Sequence, residues 1–119
     1  MTMVRFVGAV DLLSDGKVVG GHGFKGNEGW PKIERGAYRL GANTTVQALV
    51  IANATPVKVF ALECEHPVML KIGGGTTSTT LFGVDGFILV DCNAKTISCK
   101  NVTSTYGSGN GIRYVACGG

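Results

Sequence analysis

Apolar and β-branched runs separated by turn-forming residues fill the stretch from Thr55 to Val102. The runs are Val57–Cys64, Val68–Ile72, Thr79–Val84, Gly86–Cys92 and Thr96–Lys100. Proline, glycine, asparagine or aspartate lies between neighbouring runs, and the runs themselves are rich in valine, isoleucine, threonine and phenylalanine. This composition is typical of strands with a half-buried pleated surface. The stretch therefore predicts five consecutive strands.

The flanking sequence predicts further strands and no helix. Met3 to Leu13 and Lys17 to Val19 surround the turn signal Ser14-Asp15-Gly16 and predict an N-terminal hairpin. The other predicted strand segments are Tyr38–Leu40, Thr44–Asn53, a continuation at Val102–Thr105 and a last strand at Ile112–Cys117, with an open turn at Tyr106–Gly111 between the last two. Many short strands with glycine-rich turns indicate an all-β fold, an antiparallel β-sandwich or jelly roll of about eight strands. At 119 residues the chain is expected to be one domain, 1–119.

One segment, Gly20 to Gly36, shows no consistent period. It holds six of the chain's 19 glycines in seventeen residues, which predicts an extended loop or arm. The apolar residues Phe24, Trp30 and Ile33 lie in it and require a surface to bury against. Either Trp30 folds back onto its own domain, or the arm reaches a neighbouring subunit. In the second case Phe24, Trp30 and Ile33 are interface residues, with Trp30 as the anchor.

Charge and hydropathy exclude several classes of partner. The net charge is +3, only 16% of residues are charged, and the basic residues form no run, so no nucleic-acid footprint is expected. The N-terminus lacks the pattern of a signal peptide, and no apolar stretch is long enough to span a bilayer. A soluble protein that is synthesised in a cytoplasm and contacts no membrane is the expectation.

The most reactive-looking cluster is Glu63-Cys64-Glu65-His66-Pro67. Strand alternation places Cys64 and His66 on one face, where a nucleophile and its base would have to lie. No third group or oxyanion signature accompanies them, so a strand end that turns at Pro67 is favoured and no enzyme is expected. Gly73 to Thr77 precedes a strand and lacks the Gly-Lys ending of a phosphate loop, which favours a long hairpin turn.

The four cysteines, Cys64, Cys92, Cys99 and Cys117, have no C-x-x-C spacing and no nearby histidine arrangement typical of zinc. No metal and no cofactor are therefore expected. Free buried thiols are favoured, because cytoplasmic synthesis keeps thiols reduced. If Asn93-Ala94-Lys95 is a hairpin tip, Cys92 and Cys99 lie roughly opposite each other and a disulfide between them is conceivable.

The C-terminal half resembles small virion proteins of tailed bacteriophages. The resemblance is one of pattern: Pro67–Gly74 delivers an apolar strand into Lys-Ile-Gly-Gly, and Leu81–Val90, Thr96–Thr103 and Ile112–Ala116 follow as strands. It implies a jelly-roll or sandwich subunit without enzymatic activity, such as a capsid cement or decoration protein that bridges neighbouring capsid subunits. The Gly20 to Gly36 arm fits such a role, whereas the four cysteines depart from it.

The implied partners are the major capsid protein or other virion subunits and further copies of the chain, with a trimer favoured. The implied location is the virion, after synthesis in the host cytoplasm. The alternative is a carbohydrate- or receptor-binding β-sandwich module of a tail or fibre. In that interpretation Trp30, Tyr38 and Tyr106 form a platform on which sugar rings stack.

Overall fold

The structure of the protein is a computed structural model that describes the backbone of residues 2–74 and 80–119, and the side chains of these residues outside 2–14, 18–30 and Thr80. The described chain is all-β, without a helix. Its strands are β1 (Thr2–Ser14), β2 (Lys17–Trp30), β3 (Lys32–Leu40), β4 (Gln47–Ala48), β5 (Val57–Cys64), β6 (Val68–Gly73), β7 (Thr80–Val84), β8 (Phe87–Ala94), β9 (Thr96–Asn101) and β10 (Asn110–Gly118).

The predicted N-terminal hairpin is confirmed, and it is longer than expected. β1 pairs with β2 antiparallel from Ser14↔Lys17 to Thr2↔Trp30 as a two-stranded sheet of its own. Asp15 and Gly16 at its tip both have positive φ, 50° and 76°, which is the type I′ turn that matches the twist of paired strands. The prediction of an extended loop over 20–36 is wrong, because backbone pairing needs no side-chain period and the glycine-rich residues continue β2 and open β3.

The remaining eight strands form two four-stranded antiparallel sheets. Sheet I has the order β3-β10-β5-β8 and sheet II the order β4-β9-β6-β7. In sequence, the chain alternates between the sheets through β3–β4, β4–β5, β5–β6, β7–β8, β8–β9 and β9–β10, and this strand order is that of a jelly roll. Of the predicted β6–β7 turn, residues 75–79 lie outside the described residues.

Two predicted strands are shorter than expected. Of Thr44–Asn53 only Gln47–Ala48 is strand, and Val102–Thr105 does not continue β9. In both places backbone groups bond outside a ladder: the N–H of Leu49 donates to the carbonyl of Ile97, and the N–H of Val102 donates to the carbonyl of Pro67. These segments turn across the ends of the sandwich, which a periodic sequence pattern does not reveal.

The core lies between the two sheets. Its largest fully buried apolar side chains come from β5, β6 and β10, namely Phe60, Leu62, Leu70, Ile112, Val57 and Val68. The ring of Tyr114 stacks between those of Tyr38 and Phe60, with centroids 6.1 and 5.8 Å away. Gly36 makes room for this ring, because a Cβ at that position would clash with it. The Tyr114 hydroxyl donates to the carbonyl of Val50, which ties the β4–β5 segment to the core.

Two buried asparagines hold one end of the sandwich. Asn110 donates from Nδ2 to the carbonyl of His66 and to Oδ1 of Asn101, each at 2.9 Å, and accepts the N–H of His66 at 2.9 Å. Asn101 donates to the carbonyls of Gly41 and Asn43 at 2.8 and 3.0 Å. The connections β3–β4, β5–β6 and β9–β10 therefore converge on one pair of amides, and both side chains are almost completely buried.

The other end is held by a carboxylate. Glu34 on β3 accepts the backbone N–H groups of Ala52, Asn53 and Ala54, at 3.0 Å from Ala52 and 2.6 Å from Ala54. Burial raises the pKa of Glu34, but the three hydrogen bonds and the nearby Lys32 together lower it by more. The pKa of Glu34 therefore lies below its usual value. Glu34 thereby fixes the segment that leads into β5.

Replacing Asn110 with alanine is expected to destabilise the protein by about 3 kcal/mol, because it removes three hydrogen bonds and leaves buried partners unsatisfied. Urea unfolding measures the difference in the free energy of unfolding. Asn53→Ala is the matched control, since Asn53 is exposed and its side chain makes no hydrogen bond within the described residues. Equal stability of Asn110→Ala and Asn53→Ala would contradict this role.

Stability is expected to depend on pH through Glu34. Because its folded pKa is lowered, its contribution is fully present above about pH 5 and is lost as pH falls through the folded pKa. Glu34→Gln is expected to lose about 1 kcal/mol at pH 7 and to show less acid-dependent loss than the wild type. Denaturant unfolding at pH 7 and pH 3 measures both, with Asp91→Asn as an exposed control. An unchanged acid dependence in Glu34→Gln would show that other groups cause it.

Candidate functional site

The outer face of sheet I forms a shallow, mostly apolar groove of about 580 Å³. The register places Ala37 opposite Arg113, Arg113 opposite Glu63, and Glu63 opposite Phe87, so this row crosses the whole sheet. The next row is Arg35, Val115, Ala61 and Leu89. In the second row the two central residues, Val115 and Ala61, have small side chains, and this leaves the depression. Phe87, which is 61% exposed, stands at its edge. Such a surface suits contact with another macromolecule.

Two ion pairs lie near each other on this part of the protein: Arg113 and Glu63 line the groove, and Arg39 and Glu65 line a neighbouring depression. Arg39 lies 2.7 Å from Glu65 and Arg113 lies 2.9 Å from Glu63, and all four side chains are more than half exposed. Exposed pairs of this kind contribute little to stability. A macromolecule that covered this face would meet charges that are already neutralised.

The predicted interface residues are only partly described. Ile33 lies on β3 opposite Cys117 and is 41% exposed. Phe24 and Trp30 belong to β2, opposite Gly8 and Thr2, and their side chains lie outside the described residues. The backbone therefore places Ile33 in sheet I and the other two in the hairpin, and their shared interface stays a prediction.

The Cys64 and His66 pair has no catalytic geometry. The Cys64 sulfur accepts the N–H of Gly86 at 3.3 Å and lies 3.8 Å from the carbonyl of Val84, and burial raises the pKa of this thiol. The His66 ring stacks on Tyr106 at 4.6 Å, while its backbone is bonded to Asn110. Each side chain is thus held by different partners, which is the geometry of the predicted strand end at Pro67.

None of the four cysteines forms a disulfide. Asn93-Ala94-Lys95 is not the tip of a hairpin, because β8 belongs to sheet I and β9 to sheet II, and the condition for a Cys92–Cys99 disulfide is therefore not met. This connection crosses between sheets, so Cys92 and Cys99 are not cross-strand neighbours. Cys92 instead lies 3.3 Å from the carbonyl of Val57, and burial raises the pKa of Cys99 to about 11.

The tyrosines expected in a sugar platform have internal contacts. Tyr38 stacks on Tyr114, packed against the core, and Tyr106 stacks on His66 while its hydroxyl donates to the carbonyl of Pro67. The two rings are therefore not combined in one open platform.

Among the described residues, no group of three or more histidine, cysteine or acidic residues is arranged to hold a metal ion. Over the same ranges, no helix has the length and hydrophobicity of a bilayer span.

Comparison with known proteins adds fold similarity alone. No protein-family model matches the chain, and no curated protein has significant sequence similarity to it. The cupin domain of Schizosaccharomyces pombe Cnp3 is 10% identical, covers 97% of this chain and 84% of its own, and has a TM-score of 0.44. A Bacillus endospore appendage, of a novel family of disulfide-linked pili, is 10% identical over 98% of this chain and 88% of its own, with a TM-score of 0.39. Function has to be inferred from the chain itself.

Sequence reasoning did not find the groove on sheet I. Alternation along each strand separates Ala37, Ala61, Val115 and Phe87 from inward-facing neighbours, but only the strand order brings them together. A jelly roll joins β3, β10, β5 and β8, which are far apart in sequence. The exposed Phe87 directly after an Asp-Gly turn was the one local signal.

Cys64 is expected to resist a thiol reagent in the native protein at pH 7.5, because burial raises its pKa and limits access. The measurement is the rate of reaction with a chromogenic disulfide, with and without denaturant, in wild type and in Cys64→Ser. Four thiols are expected to react after unfolding, since none is in a disulfide. Fast native labelling that Cys64→Ser abolishes would restore the case for a nucleophile.

Proposed function

We propose that this protein is a non-enzymatic structural component of a tailed-bacteriophage virion, a capsid cement or decoration protein that bridges neighbouring capsid subunits. The observation that carries the proposal is the long β1–β2 hairpin, which forms a sheet of its own beside the jelly roll. The protein acts as a homo-oligomer, with a trimer favoured, and binds the major capsid protein without a cofactor. It is made in the host cytoplasm and resides in the virion.

A hairpin of this length favours a partner outside the chain. Isolated two-stranded ribbons are only marginally stable in water. The strands have 13 and 14 residues and pair with each other, and among the described residues neither outer edge of the ribbon pairs with a further strand. Both edges therefore offer backbone groups for hydrogen bonds. A neighbouring subunit that pairs with an edge, or covers the ribbon, supplies the missing stabilisation. This is the action required of a cement protein.

The jelly-roll body supports the same role. Large apolar side chains are exposed at several separate places on it: Ile33, Val46, Val50, Leu81, Phe87 and Val102. Together with a charged fraction of only 16%, they provide area that a neighbour can bury without leaving many charges unpaired. The saccharide-binding alternative lacks comparable support, because Tyr38 and Tyr106 stack on side chains of the same chain.

The proposal predicts that the full-length protein forms a closed oligomer and binds capsid shells that lack it. Light scattering after size exclusion measures the mass, and co-sedimentation measures binding. Trp30→Ala is expected to fold normally, as judged by circular dichroism, and to bind shells or sister subunits about tenfold more weakly, the effect of removing one aromatic anchor.

Ser104→Ala is the control, since Ser104 is an exposed polar residue outside the strands and outside the apolar area that a neighbour would bury. Equal binding by Trp30→Ala and wild type would contradict a role of the β1–β2 hairpin in binding a neighbour. A wild-type monomer that ignores the shells, and whose tryptophan fluorescence changes with a saccharide, would replace the structural role with the sugar-binding module.

A further inference from the structure

The outer face of sheet II carries exposed apolar side chains between two lysines. Val46 and Leu81 are 58% and 61% exposed, and they line a groove of about 470 Å³ together with Met69, Lys71 and Lys100. The register places Lys71 opposite Leu81 and Met69 opposite Lys100, so apolar and basic side chains alternate across the sheet. We call Val46, Met69, Leu81, Lys71 and Lys100 the socket.

The socket is selective in charge. Lys71 and Lys100 are exposed, and neither takes part in an ion pair among the described residues, where the pairs are Arg39–Glu65 and Arg113–Glu63. A partner that fills the socket therefore needs an apolar side chain for the groove and a carboxylate for the lysines. A partner without the carboxylate would leave two ammonium groups partly desolvated and unpaired.

The chain itself presents that combination at the β7–β8 turn. Phe87 supplies the apolar side chain, with 61% of its surface exposed. Asp85, two positions earlier, supplies the carboxylate; it is exposed and makes no ion pair within the described ranges. Gly86, with a φ of 94°, lets the chain turn tightly between them. We call Asp85 and Phe87 the knob.

A chain cannot place its own knob in its own socket. Phe87 borders the groove on the outer face of sheet I, whereas the socket lies on the outer face of sheet II, with the core between them. The two surfaces differ and are complementary, which is the requirement for a head-to-tail contact between identical subunits. Such contacts close into a ring when the rotation permits.

We infer that the knob of one copy docks into the socket of the next, with Phe87 on Met69 and Leu81 and Asp85 between Lys71 and Lys100. This inference deepens the proposed function and rests on it for the assembly of identical subunits. It names the surfaces that join copies in the body of the protein, separately from the hairpin.

Charge exchange in the full-length protein tests the contact. Lys71→Glu and Asp85→Lys are each expected to weaken self-association at least about tenfold, because each places like charges together. The double variant Lys71→Glu with Asp85→Lys is expected to recover association, since opposite charges again face each other with their positions exchanged. Sedimentation equilibrium at several concentrations measures the association constant, and Lys95→Glu is the control for an exposed lysine outside the socket.

The outcomes separate this inference from the proposed function. Association of both single variants at wild-type strength, failure of the double variant to recover, or a wild-type monomer at all concentrations would overturn the docking of knob in socket. Loss of shell binding without loss of self-association in Lys71→Glu would also overturn it, and would make a capsid subunit the occupant. Shell binding that fails in a protein whose knob and socket do associate would overturn the virion role alone.

Discussion

The hydrogen bond between the buried amides of Asn101 and Asn110 is the interaction on which this jelly roll depends. Asn101 ends β9 in sheet II and Asn110 begins β10 in sheet I, so the bond joins the sheets directly. Through their remaining groups the two side chains also hold the β3–β4 and β5–β6 connections. Apolar packing between sheets is tolerant of sliding, whereas paired amides require one geometry. The amides therefore specify how the two apolar layers meet.

Because the core and the two ends of the sandwich hold the fold together, the outer surface can carry apolar residues. The core between the sheets supplies the hydrophobic stabilisation, the asparagines fix one end, and Glu34 fixes the other through three backbone N–H groups. Phe87 on sheet I and Leu81 on sheet II are both 61% exposed, although burial of either would be favourable. Exposed residues of this size, on a body that is already closed, are the area that the proposed contacts with other chains would bury.

The sequence was sufficient where local pattern decides structure. Val57–Cys64 is a strand with the predicted ends, and the Asp15-Gly16 turn forms the predicted hairpin, since both depend on neighbouring residues alone. The sequence was not sufficient where strand pairing decides the structure, because β2 pairs with β1 despite its glycines. It also left the path from β8 to β9 open, and this connection crosses between sheets. The grooves on both sheets were missed for the same reason. Their residues are adjacent only after the strand order is known, and Asn101 and Asn110 are read from sequence as ordinary turn residues.

In the assembly that we propose, the hairpin and the two outer faces have different physical roles. A ribbon whose two edges pair with no further strand of the described chain can pair with backbone of any sequence, so it gives area and reach but little selectivity. The faces carry side chains whose charges differ: sheet I has Arg39 and Arg113 paired with glutamates, whereas Lys71 and Lys100 on sheet II have no acidic partner among the described residues. Selectivity between partners therefore belongs to the faces, where a wrong charge is costly. A subunit that combines both can reach a neighbour through the hairpin and fix its orientation through the body.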